Sequence, residues 1–84
     1  MEEKEVGKII HYFGKISVGI IELTDTLRVG DTIHIKGTHD DFTQKVGSIQ
    51  IEHKQIQEAR AGEDIGIKVK DIVHKYDKVY KVLE

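Results

Sequence analysis

Isoleucine and valine dominate the apolar part of this sequence, and their excess constrains the fold more than any other feature. Of the 84 residues, 13 are Ile and 8 are Val, against only 3 Leu. β-Branched side chains lose rotamer freedom in helices but pack well on the pleated surface of a sheet. A chain of this length has room for one hydrophobic core. We therefore predict a single all-β domain spanning residues 1–84.

Turn signals divide the chain into six predicted strands. These strands span residues 6–13, 16–23, 32–36, 42–53, 64–71 and 78–83. Residues 54–61 contain good helix formers but no amphipathic stripe, so they are predicted to form a loop with one helical turn. Six short strands with turn signals between them favour an antiparallel sandwich or barrel.

The fifth predicted strand has the clearest alternation of apolar and polar residues. Ile65, Ile67 and Val69 are predicted to face the core, because they share one side of a strand of period two. Lys68 and Lys70 then face outward, where they could form a basic stripe for backbone phosphates. Solvation of an outer face is the simpler reading of these two lysines.

The second predicted strand changes its apolar phase halfway along. Ile16, Val18 and Ile20 alternate, after which the apolar positions move to Ile21 and Leu23. A slip of one residue indicates a β-bulge, a device that curls a sheet. Glycines within strands serve the same purpose, and they occur at Gly19, Gly47 and Gly66. We therefore predict a small, closed, six-stranded barrel.

The sequence contains no recognisable catalytic, metal or cofactor motif. Cys is absent, the serines Ser17 and Ser48 lie outside any nucleophile elbow, and no glycine-rich phosphate loop occurs. We predict a protein that is not an enzyme, does not hydrolyse nucleotides and needs no cofactor. Asp40 and Asp41 could pass for a carboxylate pair, and a hydrolase dependent on them remains a third alternative.

The histidines also lack the spacing of a metal site. No HxxxH or HExxH pattern relates them, which predicts exposed or edge positions rather than zinc ligands. They are His11, His34, His39, His53 and His74.

Charge and composition restrict the kinds of partner and the cellular compartment that this sequence suits. The 13 Lys and Arg against 15 Asp and Glu give a net charge of -2, so any contact with nucleic acid must be local. No apolar run approaches the length of a membrane span. The absence of Cys fits a reducing compartment, and we predict a cytoplasmic protein. Asn is absent and Lys and Glu together number 19, which indicates a heat-adapted source.

Three segments resemble the second domain of elongation factor Tu and related translation GTPases. The longest is IQEARAGEDIGIKV at residues 56–69, and the others are LRVGDTI at 27–33 and VGSIQ at 46–50. They occur in the family's order and at similar spacing, and the resemblance covers residues 16–82. It implies a closed, six-stranded, antiparallel Greek-key barrel without a GTPase domain.

The resemblance also implies a function in translation. In the family this domain contacts ribosomal RNA or tRNA, and positions matching Gln50, His53 and Asp64 contribute to the pocket for the aminoacyl end of tRNA. We therefore predict a module that binds ribosomal RNA, tRNA or a translation-related protein. The candidate binding residues are Gln50, His53, Lys54, Asp64, Lys68 and Lys70.

The alternative is a protein-interaction module. Barrels of this kind also occur appended to unrelated enzymes, and the loop over residues 53–64 is a long excursion of the type that carries binding residues. In this reading the chain is an accessory domain that docks on an enzyme or another protein.

Overall fold

The computed structural model describes residues 2–83 and consists of strands and turns, with no helix in that range. None of these residues forms a helix long and apolar enough to cross a membrane. The strands are β1 (Glu2–Phe13), β2 (Val18–Leu23), β3 (Leu27–Arg28), β4 (Thr32–Lys36), β5 (Asp41–Lys45), β6 (Ile49–Ile51), β7 (Lys54–Ile56), β8 (Glu58–Ala59), β9 (Asp64–Lys68) and β10 (Lys78–Leu83).

The strands form one large antiparallel sheet and one small one. The large sheet has the order β5-β4-β10-β1-β2-β9-β6-β7, and β3 pairs with β8 in the small sheet. All pairs are antiparallel. The all-β, antiparallel prediction is confirmed. The closed barrel is wrong, because β5 and β7 lie at opposite ends of the strand order and do not pair.

The prediction of six strands is also wrong, because some strands are too short to show a pattern. The predicted strand over residues 42–53 is broken at residues 46–48, where β5 ends and β6 has not begun. The predicted loop over residues 54–61 contains β7 and β8, of three and two residues. A strand of two or three residues is too short to show an alternation of apolar and polar positions, so the sequence pattern does not reveal it.

The phase slip in β2 has a different cause from the one predicted. β2 itself is regular and buries Gly19, Ile21 and Leu23 on one face. The register shift lies in its partner β1, between Ile9 and His11. Apolar residues therefore occupy both faces of β2, and only one face belongs to the core.

Within residues 2–83, fifteen hydrophobic residues form the core. The prediction that the inward side chains of β9 and its extension pack there is confirmed, since Ile65, Ile67 and Val69 are at most 3% exposed. The other members are Val6, Ile9, Ile21, Leu23, Leu27, Ile33, Ile35, Val46, Ile49, Ala59, Val73 and Val79.

A histidine on β4 links the N-terminal strand to the β4–β5 hairpin. His34 Nδ1 lies 2.8 Å from a carboxylate oxygen of Glu3, and its Nε2 contacts Asp41 on the opposite side of the ring. The hydrogen bond with Asp41, followed by the one with Glu3, raises the pKa of His34 above its usual value. The same contact lowers the pKa of Asp41.

We expect this contact to make stability depend on pH. A raised histidine pKa gives stabilisation that is complete below the unfolded pKa of about 6.5 and is lost as pH rises through the folded pKa. The unfolding free energy of the wild-type protein should therefore fall as pH rises above about 6.5. His34→Gln should make this fall smaller, by less than about 1 kcal/mol. Glu3→Gln should reproduce part of the change. Urea unfolding at several pH values measures it, and parallel curves for wild type and His34→Gln would contradict it.

Candidate functional site

An open groove with an apolar floor runs along the outer face of β2. Val18 and Ile20, which lie outside the core, form the middle of this floor. Phe13 at the end of β1 and Ile16 in the β1–β2 turn extend it. Phe13 is 46% exposed and Ile16 is 57% exposed. We call this feature, with its margin formed by Gln50, Glu52, His53 and Asp64, the β2 groove. Clustered, exposed apolar side chains of this kind mark interaction sites.

A glycine keeps the groove open. Gly66 in β9 lies opposite Ile20 of β2 and also pairs with Gln50 of β6. A Cβ atom at this position would lie 3.4 Å from Cγ1 of Val18 and 3.5 Å from Cδ1 of Ile20. A larger side chain would therefore fill the groove, which encloses about 270 Å³.

Three residues predicted to bind a partner lie along this margin. Gln50, His53 and Asp64 come from β6, the β6–β7 turn and β9, and all three are exposed. The fold thus brings together side chains that are up to 14 positions apart in sequence. Their role in binding stays a prediction.

The β6–β7 turn beside the groove has an unusual backbone. Glu52 and His53 adopt φ angles of 49° and 67°, and Ser17 across the groove has a φ of 56°. A two-residue hairpin turn with both φ values positive favours Asn-Gly, so Glu and His are strained there. Three of the four non-glycine residues with positive φ in the described chain therefore lie at or beside the groove.

The three predicted lysines occupy separate places. Lys68 borders a shallow extension of the groove past Ile16 and Val18. Lys70 lies beyond the end of β9, with its Nζ 5.8 Å from the centre of the Phe42 ring. Lys54 is exposed at the start of β7. Lys68 and Lys70 are both exposed, on either side of the buried Val69, and their role in binding stays a prediction.

The sequence analysis missed the apolar floor of the groove. The sequence pattern predicts Phe13 as the end of a strand, and it predicts Ile16, Val18 and Ile20 as alternating positions of a strand that changes phase at a bulge. The sequence nevertheless contains a signal for this outer apolar surface. Apolar residues on both faces of β2 exceed what one core face requires, and the surplus marks an outer apolar surface.

The histidines are less scattered in space than in sequence. His11 packs against Phe13 at the end of the groove, with ring centres 4.4 Å apart. His39 and His74, from different turns, have ring centres 5.4 Å apart. No local spacing could predict that second pair, because 35 positions separate the two residues.

Comparison with known proteins relates the chain to segments of proteases. It is 40% identical over 81 residues to the uncharacterized protease MJ0090 of Methanocaldococcus jannaschii, covering 95% of this chain and 20% of that protein. It is 38% identical over 78 residues to a collagenase of Porphyromonas gingivalis, covering 90% of this chain and 22% of that protein. The chain thus spans about a fifth of the length of these relatives. No family model matches it.

Solved structures give the fold. The C-terminal domain of a "putative U32 peptidase" from Geobacillus thermoleovorans superposes with a TM-score of 0.89 at 22% identity, covering 95% of this chain and 93% of that one. This chain shares the fold of that domain. A selenomethionine variant of the same domain superposes with a TM-score of 0.87.

These findings overturn the translation-factor interpretation. The relatives are named as a protease and a collagenase, and the matching structure is a peptidase C-terminal domain. The resemblance to elongation factor Tu rested on short glycine-containing turns followed by alternating strands, and these patterns recur in unrelated small β domains. The predicted binding of ribosomal RNA, tRNA or a translation component is therefore wrong.

Proposed function

We propose that this chain is a non-catalytic accessory domain, akin to the C-terminal domains of U32 peptidases, that docks on the body of a protease. One observation carries the proposal. The identity of 40% with MJ0090 extends over 95% of this chain but only 20% of that protein. The remaining four-fifths of such a protein has room for the catalytic machinery. The Cys-free composition supports a cytoplasmic setting.

The chemistry of the chain supports a non-catalytic role. Cys is absent from the sequence, and in residues 2–83 no Ser hydroxyl is hydrogen-bonded to a histidine. Nucleophilic catalysis needs a nucleophile within reach of a base that activates it. Asp40 and Asp41 do not act as a pair either, since Asp40 contacts His74 whereas Asp41 contacts His34.

The β2 groove is the surface that we assign to docking. Its floor holds two of the most exposed large apolar side chains, Phe13 and Ile16. Burial of apolar surface drives most protein association. A protease body joined to this domain in one chain would face the groove at an effective concentration in the millimolar range. The protease body would therefore be available to the groove as a binding partner at all times.

A chimera tests the proposal. In the chimera, this chain replaces the matching segment of MJ0090. The rate at which the chimera hydrolyses labelled casein is compared with the rate of MJ0090 lacking the segment. We expect the deletion to reduce activity about tenfold or more and the chimera to restore it, while the isolated chain cleaves nothing. Ile16→Asp in the chimera should again reduce activity about tenfold, because a buried carboxylate costs more than 1.4 kcal/mol.

Lys54→Ala provides the matched control, since Lys54 is exposed and does not line the groove. This variant should keep the activity of the chimera. Casein hydrolysis by the isolated chain, or full activity of MJ0090 without the segment, would contradict the proposal.

A further inference from the structure

Two turns that are distant in sequence bring an imidazole and two carboxyl groups together. Asp40 ends the β4–β5 turn, while His74 and Asp77 belong to the turn before β10. Nδ1 of His74 lies 2.7 Å from Oδ2 of Asp40. The backbone N–H of His74 donates a hydrogen bond to Oδ2 of Asp77 at 2.9 Å. One ligand atom from each side chain lies within 4.8 Å of the other two.

The burial of the two carboxyl groups makes this cluster unusual. Asp77 is 4% exposed, and the side chain of Asp40 is 9% exposed. Asp77 packs beneath Gly37, where a Cβ atom would overlap its carboxylate. Two carboxylates in contact and largely shielded from water repel each other unless a proton or a cation lies between them. A proton or a cation between the two groups therefore stabilises the pair.

Lys78 and Lys75, which line the hollow beside the cluster, make their contacts elsewhere. Nζ of Lys78 lies 3.5 Å from Glu5. Nζ of Lys75 lies 5.3 Å from the centre of the Tyr76 ring. The imidazole of His74 is about half exposed and faces a hollow of about 590 Å³, which gives an ion a path from solvent.

The arrangement matches the geometry of a transition metal. Metal–ligand bonds of about 2.1 Å place neighbouring ligands of a tetrahedral ion about 3.4 Å apart. The contact of 2.7 Å between Asp40 and His74 needs to widen by only about 0.7 Å to admit an ion. A set of imidazole nitrogen and carboxylate oxygen suits Zn²⁺ better than Ca²⁺.

We propose that Asp40, His74 and Asp77 bind one divalent transition-metal ion such as Zn²⁺. The ion would tie the β4–β5 turn to the turn that begins β10. It would neutralise the buried carboxyl pair. This proposal is independent of the proposed docking on a protease.

The chain contains a matched comparison for this site. His34 also contacts two carboxylates, Glu3 and Asp41, but it does so through its two ring nitrogens on opposite sides. No single point lies within bonding distance of all three groups, so an ion cannot bridge them. His34→Gln therefore removes an imidazole with two carboxylate partners without touching the proposed site.

Calorimetric titration of the metal-free chain with ZnCl₂ tests the proposal, and CoCl₂ reports the ligand geometry through its visible absorption. We expect one equivalent of Zn²⁺ and, at 100 times its Kd, a rise in Tm of about 10 °C. Asp40→Ala and His74→Ala should each weaken binding at least about tenfold, whereas His34→Gln should not. Absence of binding at 1 mM Zn²⁺ or Co²⁺, or unchanged affinity in His74→Ala, would overturn the proposal.

Discussion

Gly7→Ala is expected to lower the free energy of unfolding by about 3 kcal/mol. Gly7 is buried in β1 and pairs with Leu23 on one side and Val79 on the other. A Cβ atom there would lie 2.5 Å from the backbone oxygen of Glu22 and 2.8 Å from Cγ2 of Ile21. A backbone oxygen held in a sheet cannot move aside as a flexible side chain can.

Gly47→Ala is the matched control for this substitution. Nothing lies within 4 Å of a Cβ atom at Gly47, and its φ is not in the left-handed region. The same change there should leave stability unchanged or raise it by about 0.5 kcal/mol, because alanine restricts the unfolded chain. Urea unfolding of both variants measures the difference. Equal stabilities would show that β1 and β2 are not as closely spaced as the structure has them.

Asp77→Ala is expected to lower the free energy of unfolding of the metal-free protein by about 2 kcal/mol. Asp77 is the one buried charged residue in the described chain, and it accepts a hydrogen bond from the backbone N–H of His74. Burial, and then the hydrogen bond with Asp40, raise the pKa of Asp77 above its usual value. Alanine would leave Asp40 and the His74 N–H without this partner.

Asp77→Asn should be much milder, at less than about 1 kcal/mol. The amide oxygen of Asn can accept from the His74 N–H, and its NH₂ group can donate to Asp40. Thermal unfolding in the presence of EDTA compares the two variants. If Asn destabilised the protein as much as Ala, the hydrogen bonds of Asp77 would not explain why it is buried.

Sequence reasoning succeeded where one face of a strand is apolar and the other polar. Ile65, Ile67 and Val69 could be placed in the core because their alternation with Gly66 and Lys68 leaves a single choice of face. It failed at β2, where Val18 and Ile20 add a second apolar face that a simple core does not need. These extra apolar residues, which the sequence analysis explained by a bulge, form the floor of the groove.

The Asp40–His74–Asp77 cluster shows a different limit. The residues converge because β4, β5 and β10 are neighbours in the sheet, so two turns meet at one end. That neighbourhood depends on long-range strand pairing, which no local pattern of Asp or His encodes. The margin of the β2 groove could be named in part, because the resemblance to elongation factor Tu singled out Gln50, His53 and Asp64. Their common floor could not.

Hydrogen exchange in the chimera tests the docking of the β2 groove most directly. Amides of residues 14–17 and 52–53 lie in turns at the groove, and they should exchange quickly in the isolated chain. In the chimera with the MJ0090 body we predict that they exchange at least about tenfold more slowly, whereas β5 on the far edge of the sheet is unchanged. Ile16→Asp should abolish the protection. Equal exchange of these turns in the isolated chain and the chimera, or protection that arises only when casein is added, would contradict docking on the protease body.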